Sequence, residues 1–227
     1  MIKQRILVWD LPTRVFHWLL AASFLGAFVT ADSERYRDIH VVLGYTVLGL
    51  VVFRLLWGVI GTRYARFRSF PIAPRRVLEY FKSLITRSPQ HHVGHNPAGS
   101  LAIYAILALS VFAGVTGYGA YNEIGGEWLA QLHEGAANAM LGLVMIHIGA
   151  VMVSSLIHRE NLVAAMLNGY KKGRAGDGIR RKHWFVAAAA LLATAGFWAG
   201  SAGLLPAGMG IPVTAAVSQQ QAHGGRG

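Results

Sequence analysis

Ten histidines and no cysteine occur in this 227-residue chain. Four of the histidines, His17, His40, His133 and His147, fall within or at the edge of long apolar runs. Ionisable side chains are rare in such runs and usually do a job there. Neutral imidazole is a ligand for transition metals and for haem iron. The missing cysteine excludes disulfides, thiolate metal sites, iron–sulfur clusters and covalent c-type haem attachment. His133 and His147 are 14 residues apart. On a helix that spacing returns to within about 40° of the same face and separates them by about 21 Å along the axis. One metal ion cannot bridge that distance. Two centres can use it, one toward each end of the helix.

The elements that must carry these histidines are membrane helices. Hydrophobic residues make up 54% of the chain, charged residues 14%, and the mean hydropathy is +0.41. A soluble domain carries about 25% charge. Five segments have the roughly 17–25 apolar residues that a bilayer crossing needs: Val15–Ala31, His40–Ile60, about Ser100–Tyr121, about Leu132–Ile157 and Trp184–Leu205. The first is not read as a signal peptide, because it contains His17 and lacks a small-residue cleavage site. The segment Arg75 to Thr86 reads as a short amphipathic surface helix, and the tail 207–227 as a mobile periplasmic extension.

The net charge of +11 is unevenly spread. Seventeen of the 21 Lys and Arg residues precede the first span or lie between spans two and three or spans four and five. By the positive-inside rule the N-terminus is cytoplasmic and the C-terminus periplasmic. The charge is thus a topology signal, and no nucleic-acid motif accompanies it. The opposite loops lean acidic through Asp32, Glu34, Asp38, Glu123 and Glu127. That lean is either exclusion of positive charge or a docking face for a basic partner.

Alternating spans pair the histidines by depth. His40 opens span two and His133 opens span four, both near the outer surface. His17 lies near the inner end of span one, and His147 in the inner half of span four. Two bis-histidine b-type haems stacked within a four-helix bundle use all four. A bland alternative is that each histidine is an interhelical hydrogen bonder. Spans two and four also echo one another: His40-x7-Leu-Gly-Leu-Val-x2-Arg54 against His133-x7-Leu-Gly-Leu-Val-x2-His147. Arg54 has two readings, a partner for a propionate of the inner haem and an arginine snorkelling to the interface. His158 shares a face with His147 and is the rival inner ligand. His91, His92 and His95 read as a solvated loop cluster, and His183 as an interfacial anchor. Gly44, one turn after His40, leaves room for a porphyrin. Ser110, Gly114 and Gly117 read as a packing stripe. Trp18, Trp57, Trp128 and Trp184 read as an interfacial belt, and Glu134 as a helix cap or an aid to proton movement.

Several ordered motifs carry a family resemblance. The opening Val8-Trp9-Asp10-Leu11-Pro12-Thr13-Arg14-Val15-Phe16-His17-Trp18 closely resembles the start of the prokaryotic cytochrome b561 family, in the branch of hydrogenase b-type cytochrome subunits. So do His40-Val41-Val42-Leu43-Gly44-Tyr45, Phe53-Arg54-Leu55-Leu56-Trp57-Gly58, Gly94-His95-Asn96-Pro97-Ala98-Gly99 and His158-Arg159-Glu160-Asn161-Leu162. The resemblance covers about residues 5–172. It implies a di-haem b-type electron carrier of the bacterial inner membrane, with ligands at His17, His40, His133 and His147. It also implies exchange of electrons between quinone or quinol and a partner protein. The family core has four helices, and the fifth span lies outside it.

The expected architecture is therefore an all-α membrane protein. A di-haem bundle occupies residues 1–172, and a basic loop with a fifth helix occupies 173–206. The expected activity is transmembrane electron transfer, with two haem b as cofactors and quinone as a candidate substrate. The partner is a periplasmic c-type cytochrome or a hydrogenase, and a homodimer is open. The rival reading is a haem-free transporter moving a metal ion or protons along the histidines. Such proteins usually show broken spans and mid-membrane carboxylates, and neither is evident here.

Overall fold

A computed structural model describes residues 4–86 and 92–203. Among the described residues, five helices are long and apolar enough to cross a membrane. Four belong to one compact unit ending at His183: α1 Leu11–Thr30, α2 Arg37–Ile60, α4 Pro97–Tyr121 and α5 Glu127–His158. Within it α1 packs on α2, α4 packs on α5, and α2 joins the two hairpins through α4. The fifth, α7 Trp184–Ser201, belongs to a second unit that begins at Trp184. The sequence places the boundary after Lys172, whereas the first unit continues to His183. The expected 207–227 tail lies outside the described residues.

Two of the crossing helices, α1 and α4, begin where a side-chain cap dictates. Asp10 caps α1, its Oδ1 accepting from the Thr13 N–H at 2.8 Å, with Pro12 in the first turn. The helix thus starts at Leu11 rather than at Val15. Asn96 caps α4 in the same way through Gly99 N–H at 2.6 Å, ahead of Pro97. At 32 residues, α5 is about 48 Å long. It exceeds the hydrocarbon thickness, and its first turn carries Glu127. Glu134 is exposed and sits two turns inside α5, so it is not a cap.

Lipid cannot satisfy polar groups, so the helices satisfy their own. Thr30, Thr46, Ser110 and Thr116 each return a hydroxyl to a carbonyl one turn earlier. The buried centre of the bundle is Phe16 and Leu20 of α1, Val47, Leu50 and Val51 of α2, and Leu107 of α4. Gly114 belongs to the expected packing stripe: a Cβ there would come within 2.2 Å of Leu48.

A small structure at the N-terminal end of the bundle, called proximal below, has no counterpart in the sequence reading. β1 Gln4–Leu7 pairs antiparallel with β2 Tyr170–Gly173, Gln4 opposite Gly173 and Leu7 opposite Tyr170. A short helix, α6 Leu162–Asn168, precedes β2. The ribbon, α6 and the loops after α2 and before α4 enclose a second core of Ile6, Val8, Trp9, Tyr64 and Ala165. The amphipathic segment is α3, Pro74–Ile85.

Candidate functional site: two histidine pairs and a buried arginine

At the distal end, His40 near the start of α2 faces His133 near the start of α5. Their ring centroids are 5.9 Å apart with planes at 89°. His40 Nδ1 lies 2.8 Å from the Ala27 carbonyl of α1, and His133 Nδ1 lies 2.8 Å from the Ala113 carbonyl of α4. A carbonyl only accepts, so each Nδ1 carries the hydrogen and each Nε2 keeps its lone pair. This is the arrangement by which ligating histidines are usually oriented. A metal about 2 Å from each of two imidazole nitrogens sets ring centroids about 6 Å apart. The observed separation fits that geometry. A Cβ added at Gly117 would lie 2.8 Å from the His133 ring, so this glycine of the expected packing stripe makes room for the histidine. A Cβ at Gly44 would meet nothing within 4 Å, leaving open space beside His40.

The proximal end gathers His17 of α1 and His147 of α5, which lie within electrostatic reach of one another. His17 Nδ1 is buried and has no hydrogen-bond partner. Arg54 of α2 is 2% exposed. Its guanidinium carbon stands 4.8 Å from the Phe67 ring centre, 5.8 Å from Phe70 and 6.0 Å from Phe16. Its Nη1 also lacks a partner. Arg54 therefore does not snorkel: the aromatic loop after α2 folds over it. The four histidines thus occupy two depths, as their spacing predicts. Among the described residues, no group of three or more His, Asp or Glu could hold a metal ion.

Three expectations change. His91 lies outside the described residues, but His95 is not solvated. Its ring sits 4.6 Å from Trp9 and 4.4 Å from Phe70, and its Nδ1 is buried. Burial pushes its pKa down to about 3, helped by Arg54, Lys171 and His147. His92 packs edge-on to Tyr80, and its carbonyl accepts from Lys171 Nζ. Trp57 leaves the expected belt, because its Nε1–H donates to buried Asp10 at 3.1 Å. His183 packs edge-on to Trp57 at 5.4 Å.

Asp10 itself escaped the sequence reading. It is 1% exposed, and its Oδ2 accepts from both Trp57 and the Thr62 hydroxyl. The signal was present as an Asp two residues before Pro12, an N-cap pattern. Its ties to α2 required the fold.

These features define a multi-pass helical membrane protein with one pair of facing histidines, His40 and His133, and a second pair, His17 and His147, within electrostatic reach of one another. Residues 8–169 match the family model for prokaryotic cytochrome b561, and the chain belongs to that family. It is a b-type cytochrome, of the class that holds haem b and carries electrons in membranes. Its relatives include a probable Ni/Fe-hydrogenase B-type cytochrome subunit of Azotobacter chroococcum mcd 1. That protein is 24% identical over 216 residues, covering 74% of this chain and 89% of its own. The corresponding subunit of Cupriavidus necator is 26% identical, covering 72% and 86%. The probable Ni/Fe-hydrogenase 1 B-type cytochrome subunit of Escherichia coli K12 is 21% identical, covering 74% and 92%. No solved structure matches significantly.

Proposed function

We propose that this chain is a di-haem electron carrier of the bacterial inner membrane. His40 and His133 hold the distal haem, and His17 and His147 hold the proximal one. The observation that carries the reading is the His40–His133 pair, whose two Nδ1–H groups are tied to carbonyls of neighbouring helices. Haem iron supplies a one-electron redox centre at each depth. The chain orients the imidazoles, excludes water and spaces the centres about 21 Å apart along α5. Arg54, held buried beneath Phe67 and Phe70, would pair with a propionate of the proximal haem.

The proximal end is cytoplasmic, since the basic segments converge there. The distal loops face the periplasm and a redox partner. The names of the relatives favour a hydrogenase over a c-type cytochrome as that partner. Quinone or quinol is the membrane-soluble exchange partner. The test is a reduced-minus-oxidised spectrum of purified protein with pyridine haemochrome quantification. Two b haems per chain support the reading; one or none overturns it.

A further inference from the structure

Among the described residues, three buried nitrogens of the proximal cluster lack a hydrogen-bond partner: His17 Nδ1, Arg54 Nη1 and His95 Nδ1. The last two converge on one aromatic ring. The Arg54 guanidinium carbon stands 5.8 Å from the Phe70 centroid, and the His95 ring stands 4.4 Å from it. A buried guanidinium without an anion is costly, and among the described residues Arg54 has no ion pair. Asp10 is near enough to act on it electrostatically, yet its oxygens are engaged by Thr13 N–H, Trp57 Nε1–H and the Thr62 hydroxyl. The fold thus brings a buried cation and a buried imidazole together and spends the local carboxylate elsewhere.

His95 is held rather than loosely placed. Trp9 and Phe70 pack on its ring. A Cβ at Gly94 would lie 2.6 Å from the Tyr64 ring, so the backbone there is pressed against the second core. Asn96 closes the segment by capping α4 and donating its Nδ2–H to the Tyr80 hydroxyl at 2.9 Å. A donor fixed this firmly beside an arginine is a preorganised receptor for an anion.

We propose that His95 and Arg54 together form a carboxylate receptor, and that its ligand is a propionate of the proximal haem. The proposal rests on the di-haem reading above. His95 is then a binding residue that ligates no iron: its Nδ1–H and the Arg54 guanidinium share the propionate oxygens. The pair offsets propionate charge near the iron, which favours the reduced state and raises the proximal potential.

The test uses the full-length protein in detergent, with His95→Asn, His95→Leu, Arg54→Lys and Arg54→Leu variants. Haem per chain, potentials by spectroelectrochemical titration and the rate of haem transfer to apomyoglobin are read for each. Wild type must first show two haems; fewer overturns the underlying reading and this proposal with it. With two present, His95→Leu and Arg54→Leu should lower one potential, leave the other in place, and release one haem about tenfold faster. Asparagine keeps an N–H near the Nδ1 position, so His95→Asn should restore both values. Reconstitution with haem dimethyl ester should erase the difference between wild type and His95→Leu. Loss of one haem in both His95 variants would make His95 an iron ligand and overturn the proposal. Unchanged potentials and release in both leucine variants, or a His95→Leu effect that persists with the ester, would overturn it as well.

Discussion

His40 and His133 are oriented by the same device applied twice. Each rises from within the first two turns of a helix, and each directs Nδ1 to a carbonyl late in the preceding crossing helix, Ala27 or Ala113, at 2.8 Å. The α1–α2 and α4–α5 hairpins thus contribute equivalent halves of one site. The repeated His-x7-Leu-Gly-Leu-Val of α2 and α5 is the sequence trace of that equivalence. The halves differ fourteen residues later, where α2 carries Arg54 and α5 carries His147. One half supplies a cation, the other an imidazole.

Gly117 is the most sensitive small residue of the distal site. A methyl group there would come within 2.8 Å of His133 Cε1 and Nδ1. Gly117→Ala should turn the ring, break the bond to Ala113 and cost one of two haems. Gly142→Ala, where a Cβ meets nothing within 4 Å, should keep both. Pyridine haemochrome quantification of the two variants decides the point.

The ligand proposed for the proximal haem on α5 is His147 rather than His158. His147 lies within electrostatic reach of His17, whereas His158 is the last residue of the helix. His147→Ala should leave one haem per chain, and His158→Ala two. The opposite result would reassign the ligand.

Asp10 joins the start of α1 to the end of α2. Asp10→Ala removes an N-cap worth about 1 kcal/mol and strands the buried Trp57 Nε1–H at about 1–3 kcal/mol. A loss of about 2–4 kcal/mol is expected, read as a lowered midpoint of thermal denaturation in detergent. Asp10→Asn keeps the cap and should lose less.

Lys171 and Glu160 form a buried pair, with side chains 5% and 9% exposed and Nζ 3.6 Å from Oε2. Glu160 also accepts from Lys172 N–H at 2.8 Å, bracing β2. Burial lowers the Lys171 pKa, and Glu160 opposes that shift. Glu160→Gln leaves the buried cation uncompensated and should cost about 3 kcal/mol. Adding Lys171→Met should recover much of it, as a double-mutant cycle would show.

His95 makes stability acid-sensitive. Its native pKa is near 3, below the ordinary value of about 6.5. Between those values the unfolded chain binds a proton that the native state refuses. Stability therefore falls as pH drops below about 6.5, by up to about 1.4 kcal/mol per pH unit. Above that pH this group contributes nothing. Denaturation midpoints from pH 4 to 8 should show the slope, and His95→Asn should flatten it. A carboxylate beside His95 raises its pKa, so haem-loaded protein should show a shallower slope than haem-depleted protein.

The sequence alone determined the membrane class, five candidate crossings and the positions of His17, His40, His133 and His147 along them. These follow from hydropathy and from the 1.5 Å rise per residue, which are local quantities. It also carried α3 to within one residue at each end, because an amphipathic period is local too. Helix starts were placed three to five residues late at Val15, His40, Ser100 and Leu132, since caps and interfacial turns are polar and hydropathy does not see them. Only the tertiary structure decided the rest. The β1–β2 ribbon joins residues more than 160 positions apart, and four-residue strands have no period long enough to read. The burial of Arg54 and His95 depends on Trp9, from ahead of α1, meeting Phe67 and Phe70 of the loop after α2. Polar loop residues look solvated in sequence; whether water reaches them is settled by which aromatic rings fold over them.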